Sequence, residues 1–248
     1  MPPSKKDQDE EIIRSAVAAN KTISIKSYVL GRYGEELLEK VSRAILQKFG
    51  KEDLLEILYP SAKELAINAT KASLKRLVFN ELELDPENDE QYERGMAVFK
   101  EKLNEKSMKE SKPKLIEQGL PTIITFYYNK DVVNIKVKNM FRMLPIEEKR
   151  VREKFKFAES FSNLLEFYIA HGDESEGMGL GITMVGILLD ESGFDRHQFT
   201  LHCKGEYNET AAKLEIPISE NYIPKRKRFE IELEKSGLSV PEFRKVFR

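Results

Sequence analysis

The spacing of apolar residues switches between two periods along this chain, and the switches divide it into strands and helices. From Thr22 to Leu30, β-branched and apolar residues alternate with polar ones, the mark of a strand with one buried face. After Gly34 the period lengthens. Leu38, Val41, Ile45 and Phe49 fall on one side of a helix, and Gly50 supplies its stop. A second helix is predicted from about Glu52 to Lys75. At ~100° per residue, Leu58, Ala62, Leu65, Ala69 and Ala72 form its apolar face, while Glu64, Asn68, Lys71 and Lys75 share a polar strip beside it. Arg76-Leu77-Val78-Phe79 then reads as a short strand.

Between Asp85 and Gly119 charge dominates, with helical spacing at Tyr92, Met96, Phe99 and Leu103, which predicts an inserted helix and linker. Pro121 to Tyr128 and Val132 to Val137 are β-rich runs separated by Asn129-Lys130-Asp131, a hairpin signal. Pro145 to Ala170 is charged and mostly helical. It leads into Gly177-Met178-Gly179-Leu180-Gly181, whose glycines directly precede an apolar helical run from Ile182 to Leu189. Strand-like runs return at Gln198 to Cys203 and Ala211 to Ile218, and a basic run, Lys225 to Arg228, precedes a last short helix. This order predicts an α+β sandwich in which a mixed, mostly antiparallel sheet is covered on one face by helices. Residues 1–20 form a disordered or helical lead, 21–220 one domain with a charged helical insertion at about 85–119, and 221–248 a basic tail with a short helix.

Composition narrows the function classes. The 248 residues suffice for one large core, and 41 basic against 42 acidic residues leave no global field that favours nucleic acid or membrane. The single cysteine, Cys203, rules out an intramolecular disulfide and a cysteine-based zinc cluster. No run reaches the roughly 18 apolar residues of a spanning helix. The expectation is a soluble protein of the reducing cytoplasm, with no nucleic acid and no membrane among its partners.

Two segments carry chemistry. Glycines before a helix let the backbone approach a ligand, and the first turn of the helix offers unpaired N–H groups to an anion. The polar strip of Glu64, Asn68 and Lys71 flanks the buried apolar wall of its helix. Taken alone, each segment is as well explained by a turn into a packed helix and by an ordinary amphipathic helix.

Together, Glu64-Leu65-Ala66-Ile67-Asn68-Ala69-Thr70-Lys71 and Gly177-Met178-Gly179-Leu180-Gly181 resemble the Bergerat-fold ATPase superfamily, which includes gyrase, heat-shock chaperone, sensor histidine kinase and mismatch-repair ATPase domains. Its signatures include a helix-borne E-x-x-x-N-A-x-K box and a later G-x-G-L-G box opening a helix. The resemblance runs from about Leu54 to Ile218. It implies ATP and Mg2+ as cofactors, with Asn68 as the magnesium ligand, Glu64 as the general base of hydrolysing members and Lys71 near phosphate. It further implies that Gly177, Gly179, Leu180 and Gly181 wrap the phosphates, with Pro145 to Glu176 as the lid. The family reads adenine with D-x-G-x-G at a strand end. Here that strand end reads Val137-Lys138-Asn139-Met140-Phe141, without glycine, and Asn139 is the stand-in.

The three histidines, His171, His197 and His202, all follow the Asn68 helix, so an upstream phosphoacceptor of the sensor-kinase type is missing. A stand-alone ATP-binding signalling domain fits better, acting on a regulatory protein partner as a kinase, an ATPase or an anti-sigma-factor-like regulator. The Glu35 to Phe49 helix offers a homodimer surface, although covering the sheet or the Asn68 helix is the commoner use of such a stripe. The alternative reading is a pseudo-ATPase scaffold without turnover. His171 lies in the lid, where a solvent-facing role is favoured over phosphate contact, and the nearby Asp173, Glu174 and Glu176 would repel phosphate unless turned outward.

Overall fold

The computed structural model describes residues 5–171, 181–204 and 207–247. Five strands form one sheet: β1 (Ile23–Ser27), β2 (Thr122–Tyr128), β3 (Val132–Asn139), β4 (Phe199–Lys204) and β5 (Glu209–Pro217), in the order β1-β2-β3-β5-β4. Every pairing is antiparallel, so the sheet is not mixed among the described residues. The alternation seen in sequence sets its two faces. The row Ile25, Ile124, Val137, Ala212 and Leu201 runs along the core side, and the next row, Ser24, Thr125, Lys136, Lys213 and Thr200, along the polar side. On that polar side Glu209 accepts from Lys136 at 2.9 Å and Lys138 at 3.3 Å, which neutralises a cluster of like charges.

Ten α-helices accompany the sheet among the described residues: α1 (Lys5–Ala18), α2 (Arg32–Lys48), α3 (Leu55–Glu81), α4 (Asp89–Glu101), α5 (Glu105–Glu117), α6 (Pro145–Ala158), α7 (Leu164–His171), α8 (Gly181–Glu191), α9 (Lys225–Ser236) and α10 (Val240–Val246). The stripe predicted on α2 is buried in the chain's own core through Leu38, Val41 and Ile45. Gly50 ends that helix at φ 63°, and Lys51 N–H returns to Leu46 O at 3.0 Å, as a left-handed helix stop requires. The N-terminal segment is helical, and its Ile13 and Val17 join the same core.

α3 lies against β2 and β3 and is the central helix of the fold. Ala62, Ala66, Ala69 and Ser73 are small enough for its backbone to approach neighbouring elements closely. The strand predicted at Arg76–Phe79 is instead the last part of this helix. Leu74, Leu77 and Val78 continue one buried helical face, and packing overrides the strand preference of Val78 and Phe79. The helix stops only at Glu83, which takes φ 52° without being glycine, while Leu84 N–H reaches Phe79 O at 3.0 Å.

The predicted insertion is two helices, each started by an asparagine cap. Asn88 Oδ1 accepts from Gln91 N–H at 3.1 Å, and Asn104 Oδ1 from Ser107 N–H at 2.9 Å. Phe99, Leu115 and Leu120 build a second small core against Leu74 and Leu77. The hairpin turn is an Asx turn, in which Asn129 Oδ1 accepts from Asp131 and Val132 N–H. The tail holds two helices rather than one, and the basic run forms the first turn of α9 instead of preceding it.

Candidate functional site

The predicted strip on α3 is half-buried, and its Glu64 lies against the start of α8. Asn68 Nδ2 donates to Glu64 Oε1 at 3.0 Å, which directs the amide oxygen of Asn68 away from that carboxylate. Gly181 opens α8 so close to Glu64 that a Cβ built on it would overlap the Glu64 carboxylate and Cγ. The backbone at Gly181 lies outside the left-handed region, so glycine is needed there for approach rather than for an unusual φ. The structure therefore brings together Glu64, Asn68 and Gly181. Gly177, Gly179 and Leu180 lie outside the described residues, as do Asp173, Glu174, Glu176 and the side chain of His171.

Burial pushes the Glu64 carboxyl above the ordinary glutamate range, against the opposing pull of Lys71, the Asn68 hydrogen bond and Lys63. A carboxyl with raised proton affinity beside a glycine-opened helix is a candidate base. Among the described residues there is no cluster of three or more His, Cys, Asp or Glu to enclose a metal. The donor set suits magnesium all the same, because that ion needs only one or two protein oxygens and completes its shell with water and phosphate.

α6 contributes groups that the sequence reading did not single out. Leu144 N–H donates to Glu147 Oε2 at 3.0 Å, and the other Glu147 oxygen pairs with Lys75, which ties the start of α6 to α3. Arg150 donates to Tyr92 Oη at 2.7 Å and stacks on its ring at 5.3 Å. Half-buried Lys154 follows one turn later, and Thr183 Oγ1 of α8 donates to its carbonyl at 3.5 Å. Burial, then the charges of Lys75, Arg150 and Lys71, hold the Lys154 ammonium below the ordinary lysine range. Lys71, Lys75 and Arg150 thus lie near enough to act on Lys154, while Lys75 is paired with Glu147 and Arg150 is held by Tyr92 of α4. The spacing Glu147, Arg150, Lys154 on one helix face was the signal available in the sequence.

Asn139 ends β3 and is 4% exposed. Its Nδ2 donates to Ala69 O and to Ser73 Oγ, both at 2.9 Å, so both amide hydrogens are committed to α3. Donation to a ring nitrogen of a base would require Asn139 to leave that helix. The following residues are held as firmly. Arg76 lies over the Phe141 ring at 4.9 Å and donates to Arg142 O at 2.9 Å, while Thr210 Oγ1 donates to Phe141 O at 2.8 Å. A separate cleft of about 310 Å³ opens between α6 and the edge strand β4, lined by Val151, Phe155, Phe199, Leu201 and Cys203 among others. It contains neither Glu64 nor Asn68.

The chain is 32% identical over 209 residues to an uncharacterized protein of Treponema pallidum (strain Nichols), a match that covers 84% of this chain and 40% of that relative. The chain therefore spans less than half the length of the relative it matches. No protein-family profile matches the chain, and no solved structure matches it. Among the described residues, no helix is long and apolar enough to cross a membrane.

Proposed function

We propose that the chain is a cytoplasmic, magnesium-dependent nucleotide-binding protein of the histidine-kinase-like ATPase type, acting in signalling through a protein partner. The observation that carries this reading is the meeting of Glu64 and Asn68 with Gly181 at the start of α8, beside Lys71, Lys75, Arg150 and Lys154. In this reading Asn68 Oδ1 holds magnesium, the cations neutralise the phosphates, and Glu64 takes the proton of the attacking water or acceptor hydroxyl. In this reading the nucleotide-loaded state of the lid controls the partner surface.

Calorimetry with ATP, with and without magnesium, tests the site. Asn68→Ala should abolish magnesium-dependent binding while leaving the thermal transition in place, and unchanged binding would remove the assignment. Glu64→Ala should keep binding and lose turnover.

A second reading, an interaction scaffold without turnover, is favoured by the committed hydrogens of Asn139 and the closed segment after it. Partner capture that ignores both ATP and Asn68→Ala would decide for it.

A further inference from the structure

Independently of any nucleotide at Asn68, we propose that the cleft between α6 and β4 docks an extended segment of a protein partner, which pairs antiparallel with β4 as the next strand of the sheet.

The phase of the ladder decides what β4 offers. Ile218 N–H donates to Asp131 O at 2.9 Å, so these two form a hydrogen-bonded pair. Along the β3–β5 register the same holds for Val133 with Ile216, Ile135 with Leu214 and Val137 with Ala212. The intervening β5 residues, Ala211 and Lys213, then bond to β4 at His202 and Thr200. That leaves Phe199, Leu201 and Cys203 turning their N–H and C=O groups to the outer edge, where no strand follows among the described residues. No other backbone hydrogen bond reaches these three groups among the described residues. Sheet edges are commonly blunted by charge, proline or a bulge. The run Phe199-Thr200-Leu201-His202-Cys203 has no lysine, arginine, carboxylate or proline, its register with β5 is unbroken, and all five residues line the cleft.

The helix beside this edge is tied to it only at the two ends of the run. The Phe155 ring lies 5.0 Å from the Phe199 ring, and Met143 N–H, just before α6, donates to Cys203 Sγ at 3.3 Å. Between these ties about 310 Å³ stays open, while Glu147 on Lys75 and Arg150 on Tyr92 anchor α6 to α3 and α4 instead. A preformed slot between strand and helix, with Val151, Phe155 and Leu201 along it, suits one strand carrying apolar residues at alternate positions. Charge at the rim narrows the segment further. Glu148 and Arg152 neutralise each other at 2.6 Å, whereas Glu159, beyond Phe155, has no ion pair among the described residues, so a cation at one end of the segment complements it.

The probe is a capped heptapeptide of alternating valine and threonine with lysine at each end, titrated into the whole chain and followed by amide hydrogen exchange. It should bind with a dissociation constant below about 1 mM and slow exchange at Phe199, Leu201 and Cys203. In an antiparallel pair, directly opposed side chains share a face, so the valines that enter the cleft also turn their N–H groups to β4. N-methylation of the valine amides should weaken binding about tenfold or more, and N-methylation of the threonine amides by less than about threefold. Leu201→Pro removes one edge donor and should weaken the unmodified peptide comparably; the methylated peptides decide the matter should that variant fail to fold. Any other pattern of sensitivity to methylation, or no binding at millimolar concentration, overturns the proposal. Concentration-dependent dimerisation that protects the same three amides without peptide also overturns it, in favour of a second copy on the edge.

Discussion

The contact between Gly181 and Glu64 can be tested without reference to any ligand. Gly181→Ala places a methyl group where the Glu64 carboxylate now lies, so Glu64 must swing aside and lose its hydrogen bond from Asn68. Overpacking of this kind costs about 1–3 kcal/mol, and the lost hydrogen bond adds about 1 kcal/mol. Alanine returns up to about 1 kcal/mol through its helix preference, less in a first turn. The net expectation is destabilisation by about 1–3 kcal/mol. In a Glu64→Ala background the overlap is gone, and the same Gly181→Ala change should be neutral or stabilising by about 0.5 kcal/mol. The double-mutant cycle should therefore give a coupling energy of about 2 kcal/mol, where independent sites add within about 0.5 kcal/mol. Urea unfolding of the four proteins, followed by circular dichroism, supplies the numbers. Additivity within about 0.5 kcal/mol would mean that α8 does not begin against Glu64, and the site built on that contact would fall with it.

Three further expectations follow from single features. Asn139→Asp should destabilise the fold by about 1–3 kcal/mol, because a carboxylate cannot donate to Ala69 O and Ser73 Oγ; an unchanged melting temperature would mean that Asn139 does not clamp α3. Gly95→Ala would bring a methyl within 2.5 to 2.9 Å of Phe79 ring atoms, so a loss of about 1–3 kcal/mol is expected in denaturant unfolding, and a gain would show that α4 stands further from α3. Because burial raises the Glu64 carboxyl in the folded state, its contribution to stability is lost as pH rises above the ordinary value of 4.5. Glu64→Gln should accordingly gain on the wild type between about pH 4 and about pH 8, and a constant difference across that range would contradict the raised affinity.

Local periodicity made much of the fold legible. The strands, the Asn129 hairpin and the α2 stripe all follow from period and turn chemistry, because each depends on neighbours in sequence. The end of α3 was hidden for the opposite reason. Leu77 and Val78 are helical because a second core packs on them, and Glu83 stops the helix without the glycine that usually announces a stop. The site was legible in part. The strip of Glu64 and Asn68 and the glycine at 181 were visible as residues, but only the fold brings them into contact. Asn139 read as a strand-end polar group open to a ligand, whereas its partners Ala69 and Ser73 lie on a distant helix that no local pattern connects to it. Arg150 and Lys154 were lost in the high background charge of their segment, where one cationic face resembles another.

The 27 residues of α3 make a rod of about 40 Å. It is set in the main core through Leu58, Leu65 and Ala69, and its later turns in the second core through Leu74 and Leu77, with Lys71 between the two anchorages. Such a girder welds what would otherwise be an appended module to the body. Loosening the α4–α5 pair strips support from the distal end of the helix, and that slack is felt at Lys75 and then at Ser73, where Asn139 of β3 is bound, before it reaches Lys71.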